Sequence, residues 1–444
     1  MISPARTAAF DILLRVETQG AYASELLHSA RLEKLTPADR GLSTEVVLGV
    51  LRWRMRLDDA IRDLSSQKLE KLDPEVLTAL RLAAYQIGFL QRVPSHAAVN
   101  DSVDLVKRSR KASAAPFVNA ILRKLVANPA LLEPILAPGP KTVLDISQLC
   151  SHPLWMVERW AIEYGIEQTD KVCSYDQKPP ETALHVTSAE AERELVREGL
   201  QLAPGLLVSS ARRVIAGDVM RSQTIRAGRA WIQDEGSQLV AMLVGKASSI
   251  LDCCAAPGGK TAILAERNPQ AKVWAWELHK HRADAMRTRL GAMTNVEVLQ
   301  QDVTSAEAAA MFECVLADVP CSGTGTLARN PEIRWRLKPS DLDDLNKKQV
   351  GILKAAIRQA AVGARLVYSS CSLEPEENAA VIEEVLRGHP ILRVIPVAGE
   401  LQRLRDSGEL VWNDVDALVK GPYLRTLPGV HPCDGFFAAI LERG

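Results

Sequence analysis

Two cysteines occupy matching places in the sequence, each directly after an apolar stretch with the pattern of a buried strand. Cys321 lies in ADVPCSGTG (317–325), and Cys371 lies in VYSSCSLEPEEN (367–378). A lone cysteine is usually a small buried hydrophobic side chain. If both strands belong to one parallel sheet, they are expected to be neighbours, because consecutive strands often are. We therefore expect both thiols to face one cleft. A thiolate there could act as a nucleophile, although the spacing does not decide which cysteine attacks.

The segment ILDCCAAPGGKT (250–261) predicts a strand, a glycine-containing turn and a helix start, which let a ligand approach free backbone N–H groups. A Walker A phosphate loop would need glycine where Cys254 stands, and the G-x-G-x-x-G dinucleotide pattern is absent. Three acids close three successive strands beside this loop: Asp252, Glu277 and Asp302. Each alone could merely cap a helix. Together they could bind ribose hydroxyls and an adenine amino group, which favours S-adenosylmethionine.

A thiol beside a methyl donor suits methylation of carbon 5 of cytosine, an atom that is a poor nucleophile by itself. Addition of a thiolate to carbon 6 makes carbon 5 enamine-like, so that it attacks an electrophilic methyl group. Loss of the carbon 5 proton and departure of the thiolate complete the reaction. The addition needs a proton or a hydrogen bond at the ring nitrogen, which the carboxyl group of Asp318 could supply. The target base must first leave its stack.

Three segments with different patterns must position these residues. Residues 1–128 have apolar residues at helical spacing, which predicts an all-α bundle. A proline-rich break at 127–142 separates this bundle from a small α+β domain at 145–235. From 236 to 444, short apolar strands alternate with helices, which predicts a parallel α/β sheet with helices on both faces. The helix before the last of these strands is expected to end at Gly363.

The composition is that of an ordinary globular protein of 444 residues with a formal net charge of zero. Residues 1–125 carry 19 Lys/Arg against 14 Asp/Glu, an excess compatible with RNA binding and equally with solvated helix faces. No apolar run is long enough to span a bilayer and no signal peptide is evident, so we expect a cytoplasmic protein. The eight cysteines form no C-x-x-C pair, so we expect free thiols and no metal site.

Four motifs, DCCAAPGGKT, DVPCSGTG, RNPEIRW and YSSCSLEPEEN, together resemble those of the RNA cytosine-5 methyltransferases. Over nearly all of its length the chain looks like the bacterial Sun/Fmu (RsmB) branch. That resemblance implies a NusB-like helical RNA-binding domain and a Rossmann-like class I methyltransferase domain that uses S-adenosyl-L-methionine. It also implies 16S ribosomal RNA as the partner, with cytosine 967 as the family's usual target. We expect a monomer that binds neither metal nor membrane.

The resemblance also implies roles for single residues. Cys371 would be the nucleophile, Cys321 would assist product release, and Asp318 would touch both the base and the cofactor. Glu277 would bind the ribose, and Asp302 would lie near the adenine. The cofactor loop would supply further contacts from Cys254, Ala255, Ala256, Pro257, Gly258, Gly259 and Lys260.

A basic segment directly after the Cys321 turn could bind RNA. RNPEIRWRLK (329–338) has cations around an aromatic residue, so it could hold phosphates and stack a base, although an exposed basic helix would look the same. The residues predicted to contact RNA are Arg329, Arg334, Trp335 and Arg336. LRWRMR (51–56) and KRSRK (107–111) are further candidates for phosphate contacts. His185 stands where the family often has arginine, which puts an RNA contact there in doubt.

Other functions remain open from the residues alone. The same chemistry could act on transfer RNA or at another ribosomal RNA site. A non-catalytic RNA-binding or antitermination factor could keep the fold as a scaffold, although the intact cysteines and cofactor loop argue against it. An amino- or oxygen-methylating enzyme would need no cysteine pair, so replacing Cys371 separates it from cytosine-5 chemistry.

Overall fold

The computed structural model describes residues 2–29, 32, 34–133, 141–307 and 312–444. Contacts group the chain into two compact units. Unit 1 is Met1–Pro179 with Leu327–Arg336, and unit 2 is Pro180–Thr326 with Leu337–Gly444. This division differs from the predicted domains, because the boundary at Pro179 falls inside the segment expected to form a separate α+β domain. The helices before that boundary belong to unit 1, whereas the strands and the helices after it belong to unit 2. Within the described ranges, no helix has the length and apolar character needed to cross a membrane.

Unit 1 is helical wherever it is described, as the pattern of its apolar residues predicts. Proline occupies the first turn of three of its long helices, where its missing N–H has no intrahelical partner to lose. A buried cluster drawn from its first seven labelled helices forms the core. The helices are Pro4–Gln19 (α1), Ala23–Leu27 (α2), Pro37–Arg52 (α3), Arg54–Leu64 (α4), Pro74–Phe89 (α5), Ser95–Arg108 (α6), Ala115–Ala127 (α7), Val143–Leu149 (α8), Leu154–Tyr164 (α9), Ile166–Tyr175 (α10) and, from the later segment, Ile333–Arg336 (α16).

Unit 2 begins with a small antiparallel sheet. Its strands lie in the order β2-β3-β1-β4, and short helices connect them. The elements are Thr182–Val186 (β1), Ala189–Arg197 (α11), Gln201–Pro204 (β2), Ala211–Ala216 (β3), Gln223–Arg226 (α12) and Ala230–Ile232 (β4).

The larger sheet of unit 2 has the strand order β11-β12-β13-β9-β8-β5-β6-β7, and β10 pairs with β13. Strands β5 to β9 run parallel to one another, whereas β13 pairs antiparallel with β9, β10 and β12, and β11 pairs antiparallel with β12. The elements are Glu235–Met242 (α13), Ser249–Asp252 (β5), Gly259–Arg267 (α14), Lys272–Glu277 (β6), Lys280–Leu290 (α15), Val296–Gln300 (β7), Phe312–Asp318 (β8), Asp341–Gln359 (α17), Ala360–Ser370 (β9), Ala379–Gly388 (α18), Leu392–Ile395 (β10), Val397–Asp406 (α19), Val419–Lys420 (β11), Tyr423–Arg425 (β12) and Phe437–Arg443 (β13).

The two faces of this sheet bury alternate residues of the same strands, as the two-residue period of a strand requires. Ile250 and Leu316 belong to a cluster with α13, α14 and α19. Leu251 and Val315 belong to a second cluster with α17 and α18. The predicted sheet with helices on both faces is therefore confirmed, and it places the ends of β5, β6, β8 and β9 along one edge.

The prediction that a helix ends at Gly363 is wrong. Helix α17 ends at Gln359, and Gly363 lies inside β9. Phe312 pairs with Ala360 while Cys314 pairs with Arg365, so β9 bulges between these pairs. Gly363 supplies the left-handed backbone of that bulge, with φ at 77°.

Candidate active site

The turns after β8 and β9 bring the two cysteines into contact. Asp318 and Ser369 pair at the ends of these parallel strands. Beyond them, the Sγ atoms of Cys321 and Cys371 are 3.3 Å apart, and both side chains are half-buried. The backbone N–H of Gly325 also donates to the carbonyl oxygen of Cys371 at 2.8 Å. The expectation that both thiols face one cleft is confirmed.

The surroundings of Cys321 favour its neutral thiol. Its hydrogen bond with Cys371, its burial and the negative charge of Glu377 all raise the pKa of Cys321 well above its usual value. At neutral pH this group therefore carries a proton that it can donate to a neighbouring sulfur atom.

Asp318 is an ion-paired carboxylate. Its Oδ2 lies 2.8 Å from Nζ of Lys260, and its Oδ1 accepts a hydrogen bond from the Ser369 hydroxyl at 2.7 Å. Burial by itself lowers the pKa of Lys260, but the adjacent Asp318, together with Cys371 and Asp252, outweighs burial, so the net pKa is raised. A carboxylate held in this way accepts hydrogen bonds, which disfavours the predicted donation of a proton from Asp318 to the ring nitrogen.

A cleft of about 410 Å³ adjoins the thiols. This volume lies within the roughly 300–1,000 Å³ common for small-molecule sites. Both cysteines and Asp318 line the cleft, and so do four other residues predicted to bind the cofactor: Cys254, Ala256, Glu277 and Asp302.

Glu277 and Asp302 reach the cleft with their carboxylates partly engaged. Glu277 is 5% exposed, and its Oε1 accepts a hydrogen bond from the backbone N–H of His279 at 2.9 Å. Oδ1 of Asp302 accepts from both the N–H and the hydroxyl of Thr304, at 2.8 and 2.7 Å. These bonds fix the direction in which each acid presents its carboxylate at the strand ends.

The other predicted loop residues shape the turn without lining the cleft. Ala255 is buried, and Gly258 adopts φ of 102° where the backbone enters α14. A Cβ on Gly259 would lie 3.0 Å from the amide oxygen of Gln233, so this glycine permits close packing. Lys260 forms an ion pair with Asp318, and neither Lys260 nor Pro257 lines the cleft. Asp252 is also set back from the cleft, because it is 1% exposed and accepts a hydrogen bond from the Thr261 hydroxyl at 2.8 Å.

Glu377 is a site residue that motif and spacing did not single out. It is fully buried, and its carboxylate binds the residue that follows each cysteine, Ser322 and Ser372. The signal in the sequence is that both cysteines are followed by serine, within CSG and CSL. Two hydroxyl groups at matching strand ends can bind one acceptor, and the acids of EPEEN (374–378) follow Ser372 closely in the sequence.

The segment predicted to bind RNA is packed within unit 1. Arg334 is 1% exposed, and its Nη1 donates to the carbonyl oxygen of Ser151 at 3.2 Å. Burial lowers the pKa of Arg334 to about 10. Nε1 of Trp335 donates to the carbonyl oxygen of Leu51 at 2.6 Å, and Arg336 donates to that of Val16 at 3.3 Å. The prediction for Arg334 is thus corrected, because its guanidinium has no accessible face to offer a phosphate.

RNA contacts by Arg329, Trp335 and Arg336, which are half-buried, stay predictions. The basic run at 51–56 is largely engaged inside unit 1. Arg52 is buried, and Arg54 forms an ion pair with Glu17 at 2.9 Å.

In the run at 107–111, Lys107 pairs with Asp104 at 2.9 Å and Lys111 with Asp73 at 3.0 Å. His185 is 6% exposed and lies 2.7 Å from Glu266, so a packing role explains it.

Comparison with known proteins agrees with this architecture. Residues 241–442 match the family described as 16S rRNA methyltransferase RsmB/F, and residues 3–127 match the NusB family. A probable ribosomal RNA small subunit methyltransferase B from Bacillus subtilis (strain 168) is 31% identical over 99% of this chain and 98% of its own. The ribosomal RNA small subunit methyltransferase B of Vibrio cholerae is 28% identical over 99% of this chain and 97% of its own. The crystal structure of PH0851 shares the fold, with a TM-score of 0.78 at 22% identity over 100% of this chain and 99% of that one.

Proposed function

The chain belongs to the ribosomal RNA small subunit methyltransferase B family, and we propose that it methylates carbon 5 of a cytosine in 16S ribosomal RNA. Cytosine 967, the family's usual target, is the proposed position. The observation that carries this proposal is the pair of thiols in contact beside the cleft, with the Sγ atoms 3.3 Å apart. Methylation of a nitrogen or an oxygen would not need such a pair, whereas addition to carbon 6 and its reversal use both thiols.

S-adenosylmethionine is the proposed cofactor, and it would supply the electrophilic methyl group. The residues present suit it, because the cleft is large enough and carries acids at the ends of the second and third parallel strands. Glu277 would accept hydrogen bonds from the ribose hydroxyls, and Asp302 would accept one from the adenine amino group. Cys254 and Ala256 would form the wall beside them.

Cys371 is the proposed nucleophile. Its sulfur forms a bond to carbon 6 of the cytosine, and the electrons of the ring double bond move so that carbon 5 becomes nucleophilic. The carboxylate of Asp318, held by Lys260 and Ser369, would accept a hydrogen bond from the exocyclic amino group of the base. The nearby ammonium of Lys260 interacts electrostatically with both Asp318 and Cys371, so it would stabilise negative charge that develops in the site.

Cys321 is proposed to act in release. Once carbon 5 carries the methyl group, a water molecule in the cleft accepts the carbon 5 proton, the carbon 5–carbon 6 double bond re-forms and the bond from carbon 6 to sulfur breaks. The departing sulfur takes the electron pair, and the protonated thiol of Cys321 lies in hydrogen-bond contact with it. Loss of Cys321 should therefore leave attack possible and slow the release of product.

The test uses unmodified, labelled 16S ribosomal RNA with S-adenosylmethionine. We expect the Cys321→Ala protein to form an RNA–protein complex that survives a denaturing gel, and the Cys321→Ala/Cys371→Ala protein to form none. Wild type should yield 5-methylcytosine, mapped by sequencing of the RNA after bisulfite treatment.

Each other result has a definite meaning. A complex that persists without Cys371 would show that another residue attacks. Methylation of a nitrogen or oxygen atom, or of transfer RNA alone, would replace the proposed reaction or substrate. Binding of 16S ribosomal RNA without any methylation by wild type would favour a scaffold role.

A further inference from the structure

One buried carboxylate joins the turns that carry the two cysteines. Glu377 lies in the short helix Pro375–Glu377. Its Oε1 accepts hydrogen bonds from the backbone N–H of Ser322 and from Nε2 of Gln349, each at 2.8 Å. Its Oε2 accepts from the hydroxyl groups of Ser322 and Ser372, whose oxygen atoms are 3.0 Å apart. The residue after each cysteine is therefore bound to the same group.

We propose that Glu377 is a positioning residue whose carboxylate sets the separation of the Cys321 and Cys371 sulfur atoms. Its role in catalysis rests on the function proposed above, whereas its role in holding the two thiols together does not. A shift of about 1 Å in a reacting group can slow a reaction by about a hundredfold. A carboxylate that fixes both turns at once is suited to prevent such a shift.

The two turns do not depend on Glu377 equally. The carbonyl oxygen of Ser372 accepts hydrogen bonds from Nη1 of Arg425 at 2.8 Å and from Nδ2 of Asn378 at 2.9 Å. These bonds hold the Cys371 turn by groups other than the carboxylate. In the Cys321 turn, Ser322 gives both its N–H and its hydroxyl to Glu377. Loss of the carboxylate should therefore displace Cys321 more than Cys371, and so impair release more than attack.

The charge of Glu377 also acts on the neighbouring thiol. Its negative charge adds to the hydrogen bond from Cys371 and to burial in raising the pKa of Cys321. Replacement by glutamine keeps the shape of the side chain and removes the charge. Cys321 should then react with iodoacetamide at lower pH, measured in proteins that also carry Cys371→Ala, with the alkylated peptide identified by mass spectrometry.

The separation of the sulfur atoms is tested without RNA or cofactor by oxidation with diamide. Two S–H groups become one S–S bond, and the N=N bond of diamide takes both hydrogens to become a hydrazine. We expect wild type to form a Cys321–Cys371 disulfide readily, and Glu377→Ala and Glu377→Gln to form it at least about tenfold more slowly once each rate is divided by the thiolate fraction of Cys321 from the iodoacetamide measurement. Glu383→Gln, the same change on the exposed side of α18, is the matched control and should follow wild type.

A second variant, Ser322→Ala, tests the proposal even if the Glu377 variants misfold. Ser322→Ala keeps the carboxylate and removes one of its donors from the Cys321 turn, so it should also slow disulfide formation while its thermal unfolding stays close to that of wild type. The proposal is overturned if all the Glu377 and Ser322 variants oxidise as fast as wild type. It is also overturned if wild type forms no Cys321–Cys371 disulfide.

The RNA experiment separates this proposal from the proposed function. If both are right, Glu377→Gln should accumulate the covalent RNA complex, as Cys321→Ala does, with a smaller loss in the rate at which the complex forms. If no protein forms a complex or methylates RNA while the oxidation results stand, the function is wrong and the positioning role survives. If Cys321→Ala accumulates the complex and Glu377→Gln releases product as wild type does, the positioning role in release is wrong.

Discussion

Asp252 illustrates how a single buried carboxyl group can make the stability of a fold depend on pH. Burial raises its pKa from 3.8 to about 7, and this effect exceeds the opposite effects of the Thr261 hydroxyl and of Lys260. Between those two pH values the folded protein holds a proton that the unfolded chain releases. The contribution of this group to stability is therefore complete below about pH 4 and is lost as the pH rises through about 7.

We predict that Asp252→Asn removes this dependence. Asparagine stays neutral at every pH, and its side-chain oxygen can still accept the bond from Thr261. The melting temperature of the variant minus that of wild type should increase between pH 5 and 7 and become constant above about pH 8. Thermal unfolding followed by circular dichroism measures this difference in melting temperature, and Asp343→Asn, at an exposed position, is the control. A difference that stays the same from pH 5 to 8 would show that Asp252 is ionised in the folded protein.

The turn Thr324–Thr326 holds the end of β8 against the turn after β9. Gly325 donates its N–H to the carbonyl oxygen of Cys371, and its own carbonyl oxygen accepts from Gly435, both at 2.8 Å. A Cβ on Gly325 would press on the carbonyl oxygen of Gly435 and would lie 2.8 Å from that of Cys371. Because these neighbours are backbone atoms, they can yield only if the turns separate.

We predict opposite effects for two glycine-to-alanine substitutions in unit 2. Gly325→Ala should lower the free energy of unfolding by about 1–3 kcal/mol through overpacking, and should slow disulfide formation between the two cysteines. Gly351→Ala, inside α17 where a Cβ meets nothing within 4 Å, should raise it by roughly 1 kcal/mol. Urea denaturation measures the free energy of unfolding of both variants and of wild type. Equal stability of the two variants would refute the close approach at Gly325.

The elements that can be predicted most directly from the sequence are those with a regular local pattern of apolar residues. The strands ending at Asp252, Glu277 and Asp318 have apolar runs of strand length, and the rule that ligands bind at the carboxyl ends of parallel strands then locates the cleft. The bulge at Gly363 escaped prediction, because a glycine after a helical pattern serves equally well as a helix end. The role of the Glu377 carboxylate was not predicted, because two of its partners, Ser322 and Gln349, lie 55 and 28 residues away in the sequence, and periodicity does not bring such distant residues together.

The segment Leu327–Arg336 shows a further limit on what a sequence reveals. Its basic and aromatic composition predicts a solvent-exposed surface, yet it belongs to unit 1, whose carbonyl groups accept hydrogen bonds from Arg334 and Trp335. Nothing in the segment itself indicates where such acceptors lie. In the chain it is flanked on both sides by residues of unit 2, so the two units are interleaved in sequence and neither is a continuous stretch.

Because Leu327–Arg336 belongs to unit 1, a substitution in this segment should destabilise unit 1, although its neighbours in the sequence on both sides belong to unit 2. Arg334→Ala leaves the buried carbonyl oxygen of Ser151 without its donor and should cost about 1–3 kcal/mol. Hydrogen exchange with mass spectrometry should show faster exchange in peptides from α3 and α8, by roughly 5- to 150-fold where exchange requires opening of unit 1. Peptides from β5 and β8 should exchange as in wild type, and Lys338→Ala, an exposed cation outside the segment, should change neither set. Faster exchange confined to β5 and β8 would mean that Arg334 stabilises unit 2, and unchanged exchange in both sets would show that its burial contributes little to the stability of unit 1.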